Sequence, residues 1–340
     1  MKELLNMFYT NERGKMRSNK IDNVDLFTNH ANENYQKHIK TQSKQALEII
    51  NKKIDWNRII KPIEYRLSKE RSIEPAGRKP FSLHVIIRCF ILQYIYNLSD
   101  PRLEEEIADR RSFQMFLGLT SGDSIPDETT ICRYREKFSS LGLDKLMFDQ
   151  LKRQLKDRNL LLERVTLVDA TIKQAQATPE SHRDSDATFT KKRGKTYYGY
   201  KGHVGVDYGT GVIHSVEFTP ANVHDSEMFE ECIHGKEKSV YADKGYAKGE
   251  RKRNMDRKGV FCGILEKGYR NKKLTKSQTA NNKILSKIRN EVEKPFAFMK
   301  KILNYERCRY YDKKRNQFQF VFCAMIYNMR KLITLSPTPA

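Results

Sequence analysis

Three acidic side chains in this sequence stand where they could do phosphate chemistry: Asp169, Asp243 and Glu293. Asp169 follows the β-prone, apolar run Val165-Thr166-Leu167-Val168 and precedes Ala170-Thr171. A continuous run of this kind suits a strand buried on both faces of a sheet. An aspartate at the end of such a strand is costly to bury unless something cationic meets it. A single instance reads as a turn-capping Asp, but Ser239-Val240-Tyr241-Ala242-Asp243-Lys244-Gly245-Tyr246 repeats the pattern. Glu293 falls in a segment that reads as a helix from Asn282 to Leu303. Two aspartates on strand ends and a glutamate on a helix can converge on a pair of divalent cations. Hard oxygen donors suit Mg²⁺ or Mn²⁺, and such a pair is the apparatus of two-metal phosphoryl transfer.

The residues around Glu293 fit the same chemistry. Arg289 lies four positions before it and shares its helix face. Lys300 lies seven after, about two turns on. Pro295 kinks or restarts the helix between them. The acid would hold an ion while Arg289 and Lys300 neutralise phosphates on either side. The plainer alternative is a pair of surface salt bridges, which are weak. Glu291 is the rival ligand, but it points about 200° away from Glu293 on a helix.

At 340 residues the chain has room for two domains. Its net charge of +22 points to a polyanionic partner. From Lys244 to Arg315 there are 23 Lys or Arg against 7 Asp or Glu, a net +16 in the stretch that holds or adjoins two of the three acids. The six scattered cysteines contain no Cys-x-x-Cys pair and read as reduced thiols, which argues against a zinc site or a disulfide framework. Met1 to Thr10 shows no signal-peptide pattern. The strongest apolar run, Leu83 to Leu98, is too short and interrupted for a membrane span. The expectation is a cytoplasmic protein with no membrane partner.

The elements that must position the acids fall into three regions. Residues 1–60 read as poorly ordered or loosely helical, with a possible helix from Ala46 to Ile60. Residues 61–160 read as a helical DNA-binding domain. A basic turn at 74–80 introduces a buried helix Leu83–Asn97; Asp100-Pro101 caps and opens the next; Ser112–Leu117, Glu128–Phe138 and Leu143–Leu155 follow. Arg133 and Arg135 on Glu128–Phe138 could reach a groove or backbone, and an ordinary bundle with a solvated basic face accounts for them equally well. Residues 161–335 turn to strands. Lys173–Thr196, ending in Lys191-Lys192-Arg193-Gly194-Lys195, reads as a long mobile loop. Tyr200–Tyr208 and Val212–Thr219 read as a hairpin. A helix Asp225–Ile233, the strand ending at Asp243, a helix Ala247–Lys258, a strand Val260–Leu265, the Glu293 helix and a packed helix Asn316–Ile333 complete the chain. The expected class is α/β (α+β): a mixed sheet with helices on both faces, in an order similar to the ribonuclease H-like fold.

On these residues the chain resembles the DDE transposases of bacterial insertion sequences, of the insertion sequence five or four-like group, over roughly Lys79 to Leu332. The motifs are Leu167-Val168-Asp169-Ala170-Thr171, Tyr241-Ala242-Asp243-Lys244-Gly245-Tyr246, and the Arg–Glu–Lys signature met by Arg289, Glu293 and Lys300. Ile125-Pro126-Asp127-Glu128-Thr129-Thr130, Tyr200-Lys201-Gly202-His203 and Asn222-Val223-His224-Asp225 are similar to the family as well. Where the family carries a Tyr three residues before the Arg, this chain has Ser286. The resemblance implies that Asp169, Asp243 and Glu293 hold two Mg²⁺ (or Mn²⁺) ions. It implies cleavage of the element's ends and their transfer into target DNA, through double-stranded terminal inverted repeats, by a homodimer on the bacterial nucleoid. Arg289, Lys300, Lys244, Tyr246, Lys201, His203, Arg133 and Arg135 are the DNA contacts it puts forward. Two other readings use the same residues: a nuclease that only hydrolyses DNA, and a catalytically inactive DNA-binding protein derived from a transposase.

Overall fold

Apolar stripes and their polar caps set the helices that open the chain. The computed structural model describes residues 42–70, 80–120, 122–181, 183–192, 194–269 and 273–335. The expectations for residues 1–41 and for most of the basic turn at 74–80 lie outside the described residues. The chain forms two compact units, one of Met1–Lys137 with Leu332–Ala340 and one of Phe138–Lys331.

In the first unit, α1 (Gln42–Lys53) and α2 (Trp56–Lys69) replace the single helix expected over Ala46–Ile60. The break comes at Asp55, whose carboxylate accepts the Arg58 N–H at 3.2 Å and so starts a new helix. α3 (Leu83–Ile95) is buried nearly all round, as its composition requires. Its Arg88 guanidinium lies 4.7 Å from the Trp56 ring, covering its charge with an aromatic face. α4 (Asp100–Asp109) is capped by Ser99 rather than Asp100. Asp100 is instead drawn inward by Arg135. α5 (Arg111–Leu117) stops at Gly118, whose φ of 77° is left-handed. Asp127 caps α6 (Glu128–Ser140) by accepting the Thr130 N–H at 2.6 Å.

The second unit begins with α7 (Leu143–Asp157) and builds a six-stranded sheet from β1 (Val165–Gln174), β2 (Thr188–Lys192), β3 (Lys195–Asp207), β4 (Ile213–Pro220), β5 (Ser239–Ala242) and β6 (Phe261–Ile264). The strand order is β2-β3-β1-β5-β6, with β4 also paired to β3. β3 is long enough to serve two neighbours on one edge: β2 takes Lys195–Gly199 and β4 takes Tyr200–Val206. β1 runs antiparallel to β3 and parallel to β5, and β5 is parallel to β6. The sheet is therefore mixed. The two ends of the loop expected from Lys173 to Thr196 are in fact strand, because β1 runs on to Gln174 and β2 (Thr188–Lys192) pairs back on β3.

Helices α8 (Gly249–Arg257), α9 (Lys276–Arg289), α10 (Glu293–Ile302) and α11 (Lys313–Leu335) complete the order. One face of the sheet buries Val168, Ala242 and Ile264 against Phe229, Cys232, Tyr246 and Met255. The other face takes α11: a Cβ on Gly202 would sit 2.6 Å from the Phe320 ring, so only glycine lets that helix approach. Two expected helices differ. Asp225–Ile233 is two 3₁₀ turns, Asp225–Met228 and Glu230–Cys232. The buried Phe229 and Cys232 are three apart, a spacing that serves a three-residue turn as well as an α-helix. Asn282–Leu303 divides into α9, a 3₁₀ turn Asn290–Val292, and α10. Pro295 falls in the first turn of α10, where its missing N–H has no intrahelical acceptor to lose.

Candidate active site

Asp169 lies within β1 rather than at its end. The parallel pairing of β1 with β5 stops at Val168↔Ala242. One residue further along each strand stand Asp169 and Asp243, so the two aspartates flank the point where β5 leaves the sheet. Each is held the same way, its carboxylate accepting the backbone N–H of the next residue: Ala170 at 2.8 Å and Lys244 at 2.8 Å. This local bond fixes both side chains before any long-range partner acts.

The α9–turn–α10 segment brings a cation to them. Arg289 closes α9, and its guanidinium donates to Asp169 at 3.2 Å and to Glu293 at 3.1 Å. The start of a helix favours the Glu293 carboxylate electrostatically. Glu291 turns away and pairs with Lys294 at 2.5 Å. The Asp169 side chain is 21% exposed and that of Glu293 61%. Burial pushes the Asp169 carboxyl up to about 6, against the hydrogen bond from Ala170 and the charges of Arg289 and Lys192; Asp243 adds to the rise. Lys300, on α10, is half-buried, and its ammonium is lowered first by that burial and then by Lys192, with Glu306 and Asp169 opposing.

The donor set fits a divalent cation in kind: three carboxylates, all hard oxygen, with no competing thiolate or imidazole in the set. Among the described residues no group of three or more His, Cys, Asp or Glu stands close enough to hold a metal. Arg289 places its own positive charge between Asp169 and Glu293, donating to both. A bound cation would take over that charge-neutralising role.

The other residues singled out in the sequence divide by burial. Lys244 is exposed beside Asp243, and Arg133 is exposed on α6. Four lie in the interior, where direct DNA contact is closed to them. Arg135, 2% exposed, donates to Asp100 at 2.8 Å and to Gln93 at 3.0 Å. Lys201 donates to the Val223 carbonyl at 2.8 Å and pairs with Asp225 at 2.8 Å. His203 is fully buried and shares a 2.9 Å hydrogen bond with Thr219, and burial lowers its imidazole to about 4. Tyr246, 2% exposed, is part of the core under the sheet. Their partners come from distant parts of the chain, which no local pattern reveals. Two further residues carried no metal or DNA role in the sequence. Lys192 is near enough to act electrostatically on both Asp169 and Lys300. Asn222 exchanges hydrogen bonds with Thr188 of β2 at 2.9 and 3.1 Å.

A family model described as the transposase DDE domain matches residues 161–329, and one described as a transposase domain matches residues 33–137. The chain belongs to the DDE transposases. Asp169, Asp243 and Glu293 lie inside the first of these matches, and α1 to α6 fall largely within the second. Among solved structures the transposase is similar to the piggyBac transposase synaptic complex with hairpin DNA, determined by cryo-EM, at 8% identity. That match covers 86% of this chain and 78% of that chain with a TM-score of 0.40. Among the described residues no helix is long and apolar enough to cross a membrane.

Proposed function

We propose that this transposase cuts DNA at the ends of its own element and joins the freed ends to a target, with Asp169, Asp243 and Glu293 as the catalytic acids. The observation that carries the reading is the convergence of Asp169 and Asp243 on neighbouring parallel strands, with Arg289 linking Asp169 to Glu293. Two divalent ions, Mg²⁺ or Mn²⁺, would be held by these three carboxylates and would supply activation of the attacking oxygen and stabilisation of the leaving one. The chain's own residues do the rest. Asp169 and Asp243 are kept in place by the backbone N–H groups of Ala170 and Lys244. Arg289, released from Asp169 and Glu293, neutralises the phosphate backbone beside the cut. Lys300 and Lys244 offer further positive charge, and Arg133 on α6 offers another phosphate contact. Arg135, Lys201, His203 and Tyr246 hold the framework without touching DNA. Water is the first nucleophile and the 3′-hydroxyl it frees is the second, so no covalent link to the protein is needed. Handling two ends at once calls for a homodimer on DNA, acting in the cytoplasm where the element's DNA lies.

The test uses duplex DNA carrying the sequences that flank the gene. Asp243→Asn should abolish strand cleavage in Mg²⁺ while leaving DNA binding largely intact. Cleavage retained by that variant removes Asp243 from the site and with it this assignment.

A further inference from the structure

The sheet holds Asp169 and lets go of Asp243. Asp169 is followed by five more residues of β1 paired with β3, from Ala170 to Gln174. β5 loses both neighbours at Ala242, where its pairings with β1 and β6 end. Beyond that point the backbone is held by the 3₁₀ turn Lys244–Tyr246, whose Tyr246 N–H donates to the Asp243 carbonyl at 3.0 Å. The same turn supplies the Lys244 N–H that fixes the Asp243 carboxylate at 2.8 Å. Where Asp243 stands therefore depends on what anchors the turn.

One anchor is the Tyr246 side chain, packed in the core. The other is a guanidinium. Arg251, in the first turn of α8, is 8% exposed. Its Nη1 donates to the Tyr246 carbonyl at 2.5 Å and to the Ser226 hydroxyl at 2.9 Å, and its Nη2 donates to the Ser226 carbonyl at 2.7 Å. Its Nε reaches Glu230 at 3.3 Å, but that carboxylate is mostly exposed and the pair is well screened. Ser226 belongs to a segment tied to β3, because Lys201 donates to the Val223 carbonyl and pairs with Asp225, each at 2.8 Å. β3 in turn pairs with β1 across Asp169↔Val204. The guanidinium thus closes a path from the strand beside Asp169, through residues 223–226, to the turn behind Asp243.

An apolar side chain at this place would avoid the desolvation of a charge, and the first turn of a helix disfavours a cation. What Arg251 adds is geometric: a planar fork holds two backbone carbonyls at once, which a single ammonium does less well. The guanidinium lies 4.2 Å from the Phe229 ring, on the sheet face that Val168 and Ala242 cover. Alternation along β1 puts Asp169 on the opposite face. Arg251 therefore acts on the acids through the backbone and not on DNA.

We propose that Arg251 is the positioning residue of Asp243, clamping the Lys244–Tyr246 turn so that the carboxylate stays at the end of β5 beside the strand of Asp169. The proposal rests on the reading of Asp169, Asp243 and Glu293 as the catalytic acids. The competing explanation is that Arg251 only stabilises the domain, as any buried side chain of α8 would.

The experiment compares the full chain with Arg251→Met, Arg251→Lys and Met255→Ala. Met255 is buried one helical turn further along α8, so its truncation costs stability without touching the turn. The first readout is hydrogen exchange of single amides in the metal-free protein. In Arg251→Met the Lys244 and Tyr246 amides should lose about ten- to a hundredfold of their protection, the loss of a charged hydrogen bond. The β1 amides from Thr166 to Thr171 should keep theirs. Arg251→Lys should fall between Arg251→Met and wild type, and Met255→Ala should leave the turn as protected as wild type. The second readout is single-turnover cleavage in Mg²⁺ beside duplex binding in EDTA. Arg251→Met should cleave about a hundredfold more slowly with binding unchanged, while Met255→Ala cleaves at the wild-type rate. Should Arg251→Met not fold, Arg251→Lys is read by the same criteria. Turn amides as protected as in wild type overturn the proposal. So does a loss shared equally by β1 or by Met255→Ala, and so does a loosened turn with unimpaired cleavage. The predicted exchange pattern in a protein whose wild type does not cleave leaves the clamp standing and overturns the catalytic reading instead.

Discussion

Removing the Arg289 guanidinium should destabilise the protein through Asp169 and hardly at all through Glu293. The two pairs have similar lengths, 3.2 and 3.1 Å, but different surroundings. Arg289 and Asp169 are 15% and 21% exposed at their side chains, so water screens that pair weakly. Charges about 4 Å apart at an effective dielectric near 20 attract by about 4 kcal/mol. Desolvating both ions offsets part of this, and a buried acid left without its partner is the main loss. The net expectation for Arg289→Ala is a loss of about 2 kcal/mol. The Glu293 carboxylate is mostly exposed, and a pair of that kind contributes about 0–1 kcal/mol. Glu293→Gln should therefore change stability little. Urea unfolding followed by circular dichroism reads both. In an Asp169→Asn background the Arg289→Ala loss should shrink by more than half, because the charge it served is gone. Adding Mg²⁺ should stabilise Arg289→Ala more than wild type, since the ion no longer displaces a guanidinium; saturation about a hundredfold over Kd gives about 2.7 kcal/mol. An Arg289→Ala protein as stable as wild type, with a loss that simply adds to that of Asp169→Asn, refutes the reasoning.

Other features give independent outcomes. Lys173 is fully buried on β1, donating to Gln319 at 2.7 Å and lying 3.3 Å from the Tyr305 ring centroid, and burial lowers its ammonium to about 7. Between that value and the ordinary one near 10.4 the unfolded chain holds more protons, so stability should rise with pH by about 2 kcal/mol from about pH 7.5 to 9; chemical denaturation of Lys173→Met should show that rise lost. Gly202→Ala puts a Cβ into the Phe320 ring and should cost about 1–3 kcal/mol, with partial recovery in Gly202→Ala/Phe320→Leu. Asp100→Ala takes the carboxylate away from the buried Arg135 and should cost about 3–5 kcal/mol on unfolding, while the salt slope of DNA binding in the folded protein stays as in wild type.

The strands that carry Asp169 and Asp243 were legible because each acid follows a β-prone run, although β1 runs on past Asp169 to Gln174. The Arg289–Glu293 pair was legible from its four-residue spacing; the structure joins the two at 3.1 Å across a 3₁₀ turn and not on one continuous helix. The β2–β3 ribbon was not, because Lys191, Lys192 and Lys195 give β2 and β3 the composition of a loop, and only pairing with Tyr197 and Tyr198 makes them strand. The cap before α4 was misread by one residue: Ser99 and Asp100 both cap well, and the choice falls to Arg135, whose burial demands a carboxylate. His203, Lys201 and Tyr246 looked available for DNA because nothing local announces Thr219, Val223 or Phe229 as their neighbours. Tertiary partners decide exposure, and along the chain those partners stand far apart.

The most direct measurement is metal-dependent cleavage of duplex DNA bearing the gene's flanking sequences, with wild type and Asp169→Ala side by side. The account predicts 3′-hydroxyl ends from wild type in Mg²⁺, none in EDTA, and none from Asp169→Ala although it still binds the duplex. Equal cleavage by the two proteins, or binding without cleavage by both, contradicts it.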